Sequence, residues 1–200
     1  MIDKIPSLSL LCKALQQVPY LASKNLYRVA TYFLLSDKER VERFCLALLE
    51  AKRSLTTCAT CCMWKEREKA CVFCQDTSRD ACTICVVETW QELLVIEKTE
   101  SYKGMYHILG GAIHPLEGVG PEDLSIGLLL ERVVKDKPQE IILATNQTPE
   151  GEATAAFIAR KLKDAGVKIS CLARGMPVGA LLEGLDKLTV YKALSERRPF

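Results

Sequence analysis

Ile84-Cys85-Val86-Val87-Glu88, and further on Ile141-Ile142-Leu143-Ala144 running into Thr145-Asn146-Gln147-Thr148-Pro149-Glu150-Gly151-Glu152, decide the fold. Each is a short apolar run that ends in acidic or polar residues and is followed by a helical segment, the pattern of a strand covered on both faces. Trp90 to about Lys98 reads as the helix after the first run. Tyr106 to Leu109 gives another strand. Gly120 and Pro121 open a helix from about Glu122 to Lys135, with proline in the first turn and acids beside it to suit the helix dipole. Residues 150–164 are a further helix and Val167 to Leu172 a last strand. Strands alternating with helices imply an α/β domain with a mostly parallel sheet and helices on both faces. The carboxyl ends of such strands share one edge, where Glu88 and the turn at Asn146 are placed.

Upstream of this domain the chain changes character twice. About Ser7 to Gln17 forms a helix with Leu8, Leu11 and Leu15 on one face, broken at Val18-Pro19-Tyr20 because proline disfavours helix in the residue before it. Ser23 caps a second helix carrying Leu26, Val29, Ala30 and Phe33. Ser36 with Glu39 reads as the capping box of a third, whose stripe is Val41, Phe44, Leu48, Ala51 and Leu55. Cysteines then replace periodicity. The expected domains are a small helical unit at 1–56, a four-cysteine finger at 57–80, the α/β domain at 81–176 and a C-terminal oligomerisation segment at 177–200.

Seven of the ten cysteines fall between Cys58 and Cys85. Cys58-Ala-Thr-Cys61 and Cys71-Val-Phe-Cys74 are two C-x2-C knuckles, each able to direct two thiolates inward, and together they complete a tetrahedral site for one structural Zn2+ per chain. Free thiols in a loop are the bland alternative, but Lys65, Glu66, Arg67, Glu68 and Lys69 between the knuckles are too hydrophilic to pack without a metal. Cys62 should point away from the ligands. Cys82-Thr-Ile-Cys85 is a third C-x2-C, whose Cys85 begins a strand too buried for redox work. Cys12, Cys45 and Cys171 read as small apolar core residues.

Composition sets wider bounds. Apolar residues are 48% of the 200 and the net charge is only +2, so no global field argues for nucleic acid. The charge is uneven: residues 1–86 hold 13 Lys/Arg against 9 Asp/Glu, and the remainder 14 against 16. Phosphate is therefore expected at the front. The amino terminus lacks the basic start and apolar run of a signal peptide, and no apolar run reaches the ~18 residues of a membrane span. A reducing cytosol is the expected compartment.

A glutamate after the first strand, with a polar turn and E-G-E after a later one, resembles the Toprim fold of topoisomerases, primases and some nucleases. Catalytic members carry an aspartate pair in that turn as Mg2+ ligands. Asn146 and Thr148 stand at those positions and bring no negative charge, which argues against phosphoryl transfer. The whole chain is similar to the RecR family of bacterial recombination mediators, through the helical unit, the cysteine finger, Ile84–Glu88, Pro115–Leu124, Ala144–Ala156 and Ala173–Gly179. The resemblance implies a non-enzymatic clamp on single- and double-stranded DNA, a homo-oligomeric ring of dimer or tetramer size. It would act with RecO and RecF to load RecA on SSB-covered single strands. Glu88, Asn146, Glu150, Gly151 and Glu152 would then form a non-catalytic signature available to a partner.

That family's helix-hairpin-helix turn usually reads P-G-h-G-x-K-S-A-x-R. This chain has Pro19-Tyr20-Leu21-Ala22-Ser23-Lys24-Asn25-Leu26-Tyr27-Arg28, with both glycines gone. Tyr20 and Ala22 cannot reach positive φ cheaply, which weakens amide contacts to phosphate, while Lys24 and Arg28, four apart on one helical face, can still contact phosphate. No G-x4-G-K-[ST] exists, so ATP binding is unsupported. His107 and His114 read as structural. Leu181–Asp186 reads as packing or a subunit contact. A small metal-dependent Toprim nuclease is the enzyme alternative. A zinc-ribbon module for RNA is the third reading, against which no interleaved aromatics of a stacking surface are evident.

Overall fold

A computed structural model describes residues 2–21, 23–173 and 175–197, the side chains of Ile2 and Ser23 excepted. The chain divides into two compact units, Met1–Leu55 and Thr56–Phe200.

The first unit is helical: α1 at Pro6–Gln16, α2 at Ser23–Leu35 and α3 at Lys38–Ser54. Pro6 opens α1 where its missing N–H costs nothing. Cys12, Leu26 and Ala30 are buried, and the Phe33 and Phe44 rings lie 4.9 Å apart. The capping box expected at Ser36 and Glu39 does not form. Asp37 takes the cap position, and Ser36 turns its hydroxyl back to donate to the Tyr32 carbonyl at 2.7 Å, closing the end of α2. The stripe expected on α3 is helical but not buried: Phe44 and Leu48 are more than half exposed, Ala51 is exposed, and Val41 and Leu55 are only half-buried. Ser23 begins α2, and the cap expected of its side chain lies outside the described residues.

The second unit starts with a two-stranded ribbon, β1 at Leu55–Thr57 and β2 at Trp64–Glu66, which the loss of periodicity had concealed. Its sheet comprises β3 (Asp80–Val87), β4 (Gly104–Ile108), β5 (Glu140–Leu143) and β6 (Lys168–Cys171) in the order β4-β3-β5-β6, every pair parallel. The helices are α4 (Trp90–Glu97), α5 (Ile126–Asp136), α6 (Pro149–Lys161) and α7 (Lys187–Ser195).

Alternation along β3 sends its side chains to two cores. Ile84 and Val86 join Leu129 and Val133 of α5 and Ile158 of α6, while Cys85 and Val87 join Leu93 of α4 and Tyr106 of β4. Helices thus cover both faces. The helix expected from Glu122 instead starts at Ile126, because Pro121–Asp123 makes one 3-10 turn and then extends at Leu124, which enters the core. Cys12 and Cys85 are buried as expected. Cys45 and Cys171 are exposed, one on a helix with no buried residue and the other at the end of edge strand β6, so neither is a core residue. No helix among the described residues is long and apolar enough to cross a membrane.

Candidate functional site

The cysteine cluster is made by two tight turns. Cys58 follows β1, its N–H donating to the Met63 carbonyl at 2.8 Å while its carbonyl accepts from Cys62 N–H at 2.9 Å. This narrow loop carries Cys61 inward, and Gln75 N–H closes the second knuckle on the Cys71 carbonyl at 3.1 Å. The sulfurs of Cys58, Cys61, Cys71 and Cys74 all lie within 4.8 Å of one another. Cys58 and Cys74 are 3.8 Å apart, and Cys61 and Cys71 3.5 Å. A tetrahedral metal–thiolate centre with bonds of ~2.3 Å has edges of about 3.8 Å, so the four sulfurs fit one. They are not paired as disulfides.

Burial opposes ionisation of Cys58, yet the backbone N–H groups of Cys61 and Thr60 prevail and bring its thiol to about 7. Cys61 is pushed up by its bond to the Cys74 sulfur and by burial, and Cys71 chiefly by burial. The Cys61 and Cys71 thiols thus hold their protons without a cation, and four thiolates together need one. Cys62 stands at φ +61 and packs, with Met63 and Phe73, against the core behind β4.

Cys61 also ties the finger to the sheet. Its carbonyl accepts from Ile108 N–H at 2.9 Å on edge strand β4. Arg79, just before β3, reaches both Glu97 oxygens at 3.0 and 2.6 Å. The same guanidinium stands 5.1 Å over the Phe73 ring and 5.6 Å over Tyr106, and its pairing holds Glu97 below the usual carboxylate range. The Cys85 thiol, buried behind this layer, is pushed up to about 12 and is inert.

The order β4-β3-β5-β6 places a topological switch between β3 and β5, where a crevice opens past the carboxyl ends of parallel strands. Glu88 follows β3 and Asn146 follows β5. Asn146 donates its backbone N–H to Glu88 Oε1 and its side-chain N–H to Glu88 Oε2, both at 2.7 Å, and Nδ2 also reaches Glu92 Oε1 at 3.2 Å. One amide thus serves two carboxylates. Glu92 closes a capping box with Thr89 at the start of α4. Burial opposes its ionisation, but the Thr89 hydroxyl and the Asn146 amide hold its carboxyl below the ordinary value. Gly151 makes the approach possible, since a Cβ there would meet the Asn146 carbonyl and stand 2.7 Å from Glu88 Oε1.

Of the signature residues, the structure brings Glu88, Asn146 and Gly151 together. Glu150 turns instead to His114 Nε2 at 3.7 Å, and Glu152 pairs with Lys192 of α7. Among the described residues only the four cysteines converge as metal ligands. Glu92 and Lys192 escaped the sequence reading, although Thr89-Trp-Gln-Glu92 carries a capping-box spacing. His107 is buried with its Nε2 2.9 Å from the Ser125 hydroxyl, in agreement with a structural role.

Lys24 and Arg28 lie exposed in α2, four residues apart, with exposed Tyr27 between them. The turn before α2 shows how Tyr20 is held. Leu21 N–H donates to the Val18 carbonyl at 3.3 Å, with Pro19 second and Tyr20 third at φ +63, the position glycine usually fills. Tyr20 does adopt positive φ, at a cost of ~1–2 kcal/mol, because the proline turn fixes the chain around it. Tyr20 is fully exposed and Tyr27 half-exposed. Ala22 of this hairpin and Arg174 of the Ala173–Gly179 motif lie outside the described residues.

A family model described as the Toprim domain matches residues 82–173, from early β3 to just past β6. The match spans the sheet, the switch-point crevice and all the helices between, so this part of the chain is similar in sequence to the fold that its strand order and its Glu88–Asn146 crevice already display.

Proposed function

We propose that the protein is a non-enzymatic, DNA-binding recombination mediator of the RecR kind, with a structural Zn2+ on Cys58, Cys61, Cys71 and Cys74. The observation that carries the reading is the Glu88–Asn146 clasp. In a catalytic Toprim site this carboxylate faces an acidic pair and shares a divalent cation with it. In this chain a neutral amide takes both its oxygens, and Glu150 and Glu152 are engaged elsewhere. The zinc would act only in folding, since four cysteines leave no open position on the metal.

Phosphate contacts belong to the helical unit. From Lys4 to Ser36 the chain carries Lys4, Lys13, Lys24 and Arg28 and not one acid. Two separate exposed apolar surfaces support a homo-oligomeric ring: Phe44 and Leu48, one turn apart on α3, and Leu188, Tyr191 and Leu194 on α7. A closed ring of alternating contacts needs two different faces per chain, each pairing with its own copy. RecO and RecF as partners, loading of RecA on SSB-covered strands, and a cytoplasmic, nucleoid-associated location rest on the family resemblance.

Fluorescence anisotropy with labelled single- and double-stranded DNA across a salt series tests the DNA reading. Lys24→Ala with Arg28→Ala should weaken both duplex and single-strand binding, whatever the sequence, and flatten log affinity against log salt by roughly 1–2 per engaged chain. Unchanged affinity and slope would place the DNA surface elsewhere.

A further inference from the structure

The hairpin holds a residue with no evident reward inside its own chain. Tyr20 occupies a left-handed position in the proline turn, where glycine would be relaxed, and its side chain is fully exposed at 104%. A strained backbone and an unburied aromatic ring at one residue are both uncompensated by packing, and such strain is retained where the residue has work to do outside the fold.

The surroundings select the chemistry. Tyr20 sits in a stretch of four cations without an acid, four residues before Lys24, with half-exposed Tyr27 between Lys24 and Arg28. Cations placed to meet a backbone and aromatic rings free to meet bases are the two parts of a single-strand surface. A duplex keeps its base faces stacked on one another and offers a ring nothing to cover.

We infer that Tyr20 is a stacking residue that selects single-stranded DNA, its ring covering an unpaired base while Lys24 and Arg28 hold the adjoining phosphates. This rests on the proposal that the hairpin binds DNA.

The test measures Kd for labelled oligo-dT, a duplex of equal length and oligo-rU, using the intact protein and four variants. Tyr20→Gly relieves the turn and removes the ring, so it should not harm folding. Its oligo-dT affinity should fall about tenfold, the scale of stacking one base on one ring, with duplex affinity and both salt slopes unchanged because the ring releases no counterions. Tyr20→Phe should retain parent affinity. Tyr20→Trp should add emission, beyond that of Trp64 and Trp90, that oligo-dT quenches and duplex does not. Oligo-dT binding by Tyr20→Gly equal to the parent, or equal losses on both DNA forms, would overturn the inference. Tighter binding of oligo-rU than oligo-dT would overturn DNA as the occupant. The Lys24→Ala with Arg28→Ala protein separates the two levels. If it binds all DNA as the parent does, the hairpin reading itself fails; if it loses affinity while Tyr20→Gly does not, only the stacking role fails.

Discussion

Gly151 shows how one hydrogen atom for a side chain sets the crevice. A methyl group there would stand 2.7 Å from Glu88 Oε1 and closer still to the Asn146 carbonyl, which is backbone and cannot swing away. Gly151→Ala should therefore lower stability by about 1–3 kcal/mol, read by urea denaturation, with zinc content unchanged. His107 makes a second prediction. Burial depresses its pKa from 6.5 to about 4, so the unfolded chain binds the extra proton first. Its contribution is complete above pH 6.5 and is lost as pH falls towards 4, by an amount on the order of 3 kcal/mol. His107→Gln should remove that part of the pH dependence of unfolding. Glu88 and Asn146 were legible as singular positions from sequence. Their bond was not, because a spacing of 58 residues gives no register, and the positive φ of Tyr20 was not, because propensity yields to a turn fixed by its neighbours.

At the scale of elements, the strands were legible in outline because their apolar runs are buried on both faces, and the four metal-ligand positions followed from spacing alone. The ends were less so. Ser36 and Glu39 have a capping spacing, but Ser36 lies four residues after Tyr32 and bonds back to it. The docking of the finger on β4, through the Cys61 carbonyl and the Arg79–Glu97 pair, involves partners remote in sequence and had no local signal. It has a consequence for metal removal. Chelation, or Cys71→Ser, should unfold the finger and also loosen β4, exposing Ile108 N–H to solvent. Amide hydrogen exchange at Ile108 should accelerate together with residues 58–74, and metal analysis of the parent should return one zinc per chain. Metal-free protein with the same melting temperature and exchange would refute the structural centre.

Over the whole molecule, a net charge of +2 cannot hold DNA by itself, and the cations that matter are concentrated in a short acid-free stretch of a 200-residue chain. In the proposed ring, affinity comes from repeating that stretch around the assembly, each copy releasing its own counterions. The sheet unit supplies a rigid crevice whose carboxylate is already satisfied by an amide. On the proposed reading, a protein built this way binds DNA and leaves it intact. The most direct test is incubation of labelled single- and double-stranded DNA with the zinc-loaded protein and Mg2+ or Mn2+, scored for both retention and cleavage. The account predicts retarded, full-length DNA in every lane. Cleavage that depends on the divalent ion and disappears in Glu88→Ala would contradict it.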